Sequence, residues 1–117
     1  ESKMDDCLFC KIAAGFIPSE LILDRENVVA FRDINPQAPT HILIIPRKHI
    51  ATLNDLEEND AELMGEMVLA AKDLAEQEGI AESGYRTGFN CNADAGQTVW
   101  HVHLHLMGGR KFNWPPG

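Results

Sequence analysis

His101 to Arg110 reads HVHLHLMGGR, and the reading of this stretch decides the fold class. Three of the chain's five histidines alternate here with apolar residues and then stop at a glycine pair. In a β-strand successive side chains point to opposite faces. His101, His103 and His105 therefore share one face, and Val102, Leu104 and Leu106 share the other, against a core. A helix would point the histidines in three directions and split the apolar set. A merely solvated strand face would carry Thr, Lys or Glu, so three imidazoles in register read as a site.

Working outward, the chain offers other short strands. ELILD (Glu20 to Asp24) and VVAFRD (Val28 to Asp33) flank a turn at Arg25 to Asn27. INPQAPT (Ile34 to Thr40) carries two prolines and reads as a loop. HILIIP is an apolar, β-branched strand stopped by Pro46. YRTGFN (Tyr85 to Asn90) reads as a strand, CNADAGQT as a loop, and WHVHLHLM (Trp100 to Met107) as the last strand.

Two helices complete the list. CLFCKIAAGFIP (Cys7 to Pro18) is a short helix ended by Gly15. Leu63, Met64, Met67, Val68, Ala71, Leu74 and Ala75 recur at three- and four-residue spacing, which marks one long amphipathic helix. Acidic residues crowd its first turns, where the helix dipole favours them, and Gly79 is a natural stop. Strands joined by short turns around a single long helix predict an α+β fold: an antiparallel sheet, the long helix on one face, and a short N-terminal helix. No repeat, low-complexity run or linker interrupts residues 1–117, so they are expected to form a single domain.

Composition bounds the partners. At 117 residues, with 44% hydrophobic and 24% charged residues, the chain is of ordinary globular make-up. Its formal net charge of −8 argues against a nucleic-acid polymer or an anionic membrane surface held by bulk charge. A single nucleotide held by local contacts is compatible with it. No apolar run reaches the roughly 18 residues of a membrane span. No secretory signal is visible, and Met4 is a candidate native start. Three cysteines are too few for a disulfide framework, so reduced thiols or a metal are expected, in a cytoplasmic setting.

Imidazole has two uses on such a strand. It can ligate a metal, or act as nucleophile and acid/base near neutral pH. Nucleophilic use needs one neutral ring aimed at an electrophile, with its other nitrogen donating to an acceptor. Neighbouring imidazoles help, because each charged ring disfavours protonation of the next.

The pattern His-φ-His-φ-His-φ-φ, with φ apolar, resembles the signature of the histidine triad family. AFRDINPQAPTHILIIPRKHI, AGQTVWHVHLHLMGGR and the ending NWPPG are similar to its Hint branch, so the resemblance runs from about Cys7 to Gly117. It implies a nucleotide hydrolase or transferase acting at the α-phosphate, with purine nucleoside 5′-phosphoramidates such as AMP-lysine as substrates. The middle histidine, His103, would attack phosphorus and form a nucleotidyl-histidine that water releases. His105 would donate to phosphate oxygens or the leaving group. His101 would orient its neighbours, and His41 would stand close behind the triad.

The same resemblance assigns Asp33 to the ribose hydroxyls, and Phe9, Ile12, Phe31 and Ile34 to an apolar slot for the base. Asn90 becomes a phosphate or ribose contact. Gly96, Gln97 and Thr98 become a loop touching phosphate and leaving group, with threonine where the branch usually has serine. It further implies a homodimer with one continuous sheet, whose tail KFNWPPG brings Trp114 to the partner's site.

Cys7 and Cys10 form a Cys-x-x-Cys pair that alone reads as redox-active or as two buried thiols. With His49 and His101 it completes a Cys2His2 set for a structural zinc, as several histidine triad proteins carry. No organic cofactor is expected, and Cys91 is expected to be a buried thiol. Two rival activities are a diadenosine-polyphosphate hydrolase of the same family and a metal-dependent hydrolase with all three histidines as ligands. A nucleotide-binding scaffold with vestigial turnover is a third alternative.

Overall fold

A computed structural model describes residues 6–117; Met4, the candidate start, lies outside them. In chain order the elements are α1 (Leu8–Ala14), β1 (Leu21–Asp24), β2 (Val28–Arg32), β3 (Thr40–Pro46), α2 (Ala61–Gln77), β4 (Tyr85–Gly88) and β5 (Leu104–Gly108). The five strands form one antiparallel sheet in the order β1-β2-β3-β5-β4. This is the α+β architecture the sequence predicts.

Strand alternation divides the sheet into two faces. Val28 and Ala30 of β2, Ile42 and Ile44 of β3, and Leu104 and Leu106 of β5 pack against Met67, Ala70, Ala71, Leu74 and Ala75 of α2. Val29, Phe31, Leu43 and Ile45 face the other way and meet Cys7, Phe9 and Ile12 at α1. β3 is buried on both faces, which is why its sequence shows no polar alternation. α1 is short and fixed at both ends. Cys7 Sγ accepts from Cys10 N at its start, and Gly15 closes it at φ 83°.

The last strand is shorter than its sequence suggests. Its ladder begins at Leu104, and His101 to His103 lie outside it. Pro46 has no N–H to offer the next pair, and its carbonyl accepts from the His101 ring at 2.8 Å. The His101 carbonyl is taken in turn by the His103 ring at 2.8 Å, and Val102 N bonds Ile50 O at 2.7 Å. The facing still alternates. Val102 joins the α2 core, while the His101 and His103 rings lie edge-on to Phe9 of α1. YRTGFN likewise forms ladder only to Gly88.

The glycine pair that ends the motif has a steric cause. A Cβ on Gly108 would lie 2.5 Å from Ile80 Cδ1, just past α2. Gly109 sits at φ 91°, where a Cβ would also meet Pro39 at 2.9 Å. Both glycines let β5 turn away under neighbouring chain.

Candidate active site

One row of the sheet sets the floor of the site. Phe31 of β2 pairs with Leu43 of β3, and Leu43 with His105 of β5. Directly opposed residues share a face, so the floor passes from apolar to imidazole across three strands. Above it lies a cleft of about 430 Å³. Phe9 and Ile12 from α1, with Phe31 and Ile34, line it, as do Asp33, Asn90, Gly96, Gln97, Thr98, His103 and His105. Eleven of the residues singled out in the sequence thus meet in one cavity of the size that takes small ligands.

Hydrogen-bond partners decide which nitrogen of each ring carries its proton. His103 Nδ1 lies 2.8 Å from the His101 carbonyl, which can only accept, so Nδ1 donates and Nε2 keeps a free lone pair. His41 Nδ1 accepts from the Gln37 backbone N–H at 3.0 Å, so its proton is on Nε2. That N–H points to His105 Nδ1 at 2.9 Å, with the Asp33 carboxylate 3.5 Å away. His105 must then carry its own proton on Nε2. Asn90 presents its amide there at 3.5 Å, and the carbonyl end of that amide is the complementary one. The two rings lining the cleft therefore differ: His103 offers a lone pair and His105 an N–H.

Burial favours the uncharged form of these rings. It lowers His105 from 6.5 to about 4, helped by His103 and His41 and opposed by Asp33. It also lowers His103, against the His101 carbonyl and Asp33, which favour the charged form. His101 falls to about 4, mainly through burial.

His101 points elsewhere. Its Nε2–H donates to the Pro46 carbonyl, and Nδ1 faces Cys7 Sγ at 3.3 Å and Cys10 Sγ at 3.5 Å. His49 Nδ1 stands 3.3 Å from Cys10 Sγ. A tetrahedral zinc, with Zn–S about 2.3 Å and Zn–N about 2.0 Å, sets neighbouring S and N ligands about 3.5 Å apart. The three Cys–His pairs at 3.3 to 3.5 Å stand near that spacing, and all four donors lie within 4.8 Å of one another. His101 also has the carbonyl partner behind it that a ligating imidazole takes. His49 Nε2 does not: it is buried with no hydrogen-bond partner. Without a cation, burial and Cys7 push the Cys10 thiol up to about 12. These four residues could hold a divalent metal, whose role with four protein ligands is to tie α1 to the triad segment.

Asp33, His41 and His105 also converge within 4.8 Å. Their hydrogen bonding does not suit a metal. His41 would have to coordinate through Nε2 while Nδ1 faces an N–H donor, leaving no place for its proton.

Several expectations change in detail. His101 positions His103 through its backbone carbonyl, not its ring. His41, expected close behind the triad, contacts its last histidine. In the 96–98 loop the Gly96 and Gln97 amides are committed to Ala93 O and Asn92 O, so the expected backbone approach to an anion is absent at these two residues. The Gln97 side chain bonds Asn92 N, Ala51 O and Val99 O, so it shapes the loop and its amide hydrogens are both committed within the chain. Cys91 is half-buried. Trp114 is 82% exposed and does not line this subunit's cleft. Sequence reading missed Leu8, Ile17, Pro18, Ser19, Arg32, Leu43 and Val99, which also line it. Leu43 was findable by parity, since it stands two residues from His41 on the same strand face.

The chain is similar in sequence and fold to known proteins. The profile of the HIT domain family matches residues 14–112. The purine nucleoside phosphoramidase of Escherichia coli (strain K12) is 50% identical over 106 residues, covering 91% of this chain and 89% of that protein. A 14 kDa zinc-binding protein of Zea mays is 48% identical over 119 residues, 98% of this chain and 92% of that one. A crystal structure of a HIT family hydrolase from Legionella pneumophila Philadelphia 1 superposes with a TM-score of 0.94 at 57% identity, covering 96% of this chain and all of that one. A fold of this kind with a triad at its cleft defines a histidine triad protein. The chain belongs to the HIT domain family.

Proposed function

We propose that the protein is a single-domain cytoplasmic nucleotide hydrolase cleaving the P–N bond of purine nucleoside 5′-phosphoramidates, AMP-lysine among them. The observation that carries this is the His103 ring: its Nδ1–H is held by a backbone carbonyl, and its uncharged Nε2 belongs to a ring lining the cleft. The similarity to the E. coli phosphoramidase supports the substrate class. The base lies in the apolar slot of Phe9, Ile12, Phe31 and Ile34, and Asp33 accepts from the ribose hydroxyls. His103 Nε2 attacks phosphorus, an Nε2–P bond forms and the P–N bond breaks. The His105 Nε2–H is placed to protonate the departing nitrogen. Water then attacks phosphorus, the Nε2–P bond breaks, and the nucleoside monophosphate leaves. Thr98 and Asn90 contribute polar contacts to the phosphoryl group.

Zinc on Cys7, Cys10, His49 and His101 is structural in this reading, and the maize relative's name accords with it. The functional unit is a homodimer. β4 is an outer strand of the sheet, and α2 exposes Val68 and Leu69 at 57% and 59%. Pairing through this edge and helix would extend the sheet and bring the Trp114 tail to the partner's cleft.

The test is turnover of AMP-lysine by wild type and His103→Ala, with zinc measured on the same samples. Loss of the nucleophile should cut kcat by about 10⁴-fold or more, and a slow phosphoramidate should leave an acid-labile adduct on wild type alone. Wild-type turnover by His103→Ala would refute the assignment.

A further inference from the structure

The charge of the cleft says more about its ligand than its shape does. A phosphate site usually holds a Lys, Arg or metal. Among the described residues this cleft has no lysine in its lining. Its one arginine, Arg32, is turned to Glu78, which takes Nη1 and Nη2 at 2.9 Å each. The carboxylate in the lining is Asp33, whose Oδ1 is bound by the Asn35 N–H at 2.8 Å. His105 carries a single proton, because its Nδ1 accepts from His41, and His103 turns to the cleft the nitrogen opposite its carbonyl-bound Nδ1–H. Within this subunit a phosphoryl group entering here meets the His105 N–H and the Thr98 hydroxyl, but no unpaired lysine or arginine.

From this we infer that the phosphoryl subsite selects singly charged phosphorus groups, the phosphoramidate or phosphodiester monoanion, over the doubly charged phosphate of a nucleoside monophosphate. The inference rests on the nucleotide-hydrolase reading above and deepens it. Dipoles can satisfy one negative charge. A second charge must be desolvated without a counter-ion and faces Asp33 besides. Substrate and nucleotidyl-histidine each carry one charge at phosphorus, whereas the free product carries two above its second ionisation. The cleft therefore binds what it cleaves and rejects what it makes.

The size of the effect follows from the proton the dianion must regain. A phosphate monoester has its second pKa near 6, so at about pH 8 only about one molecule in 100 is singly charged. Calorimetric titration of the full-length protein at that pH with adenosine, AMP and the AMP monomethyl ester tests the point. The ester, singly charged throughout, should bind about 10- to 100-fold tighter than AMP, the upper bound being that proton cost. AMP binding as tightly as its ester, or tighter, overturns the inference while leaving the nucleotide reading standing. Failure of all three ligands to bind would defeat the nucleotide reading itself. Asp33→Asn weakens ribose contacts for both nucleotides alike but also removes the negative charge facing the dianion, so it should narrow the ratio between them. An unaltered ratio would refute the part given to Asp33.

Discussion

Replacing His41 by leucine probes the chain of protons behind the triad. His41 is buried and touches the site through His105 at 2.9 Å and, more distantly, the Asp33 carboxylate at 3.5 Å. Its Nε2–H holds His105 Nδ1 as an acceptor at 2.9 Å, and so holds the cleft-facing nitrogen as a donor. Leucine fills similar space but donates nothing. His105 must then either leave Nδ1 unsatisfied or move its proton there, turning a lone pair toward the phosphoryl oxygens. An unmade bond at a buried polar atom costs about 1–3 kcal/mol. At about 1.4 kcal/mol per decade, that predicts a fall in kcat of about 5- to 150-fold for His41→Leu. Glutamine places an amide N–H near the imidazole Nε2 position, so His41→Gln should recover most of the loss. The assay is kcat and KM on AMP-lysine, with the ¹⁵N shifts of His105 reporting which nitrogen is protonated. Wild-type kcat in His41→Leu would refute the reasoning. So would a kcat loss with the His105 proton still on Nε2, since that loss would then have another cause.

The remaining predictions concern stability and metal. Gly108→Ala should cost about 1–3 kcal/mol in denaturant unfolding through overpacking on Ile80, with Ile80→Ala in the same chain recovering part of it. Cys10→Ser should abolish stoichiometric zinc and lower the thermal midpoint; unchanged metal content would exclude the Cys7, Cys10, His49, His101 site. Chelation of the wild type should leave phosphoramidate turnover in the fraction that stays folded, and complete loss from folded protein would favour metal-dependent chemistry. Stability should decline as pH falls from about 6.5 toward 4 and then level with respect to His105. Burial lowers the His105 pKa to about 4 in the fold, so the unfolded chain takes up the proton first and is favoured over that window. Urea midpoints across the range measure this, and His105→Asn should flatten the slope.

The strand parity of HVHLHL was readable because alternation is a local property of extended backbone. The length of the strand was not. Whether the ladder reaches His101 depends on Pro46, 55 residues earlier in the chain, and on which groups claim the carbonyls of residues 46 and 101. The imidazoles themselves claim them, so the motif that predicts a strand also ends it early. The apolar side of the cleft was legible only where a resemblance pointed to it. Leu43 hides in HILIIP because a strand covered on both faces carries no polar residue to mark its sides. Ile17 to Ser19 and Val99 reach the cleft through long-range packing for which the sequence has no local sign.

The proton positions are the deepest part of the site, and they too depend on distant partners. Three chemically identical side chains acquire three roles because each meets a different second partner. The Pro46 carbonyl turns the His101 lone pair to the cysteines, the His101 carbonyl frees His103 Nε2, and His41 makes His105 a donor. None of these partners is inside the His-x-His-x-His pattern except the His101 carbonyl. The motif therefore supplies the imidazoles, while β3, which contributes both His41 and Pro46, supplies the division of labour. A substitution on β3 that leaves every triad histidine in place can on this argument remove the activity, and His41→Leu is the sharpest such change.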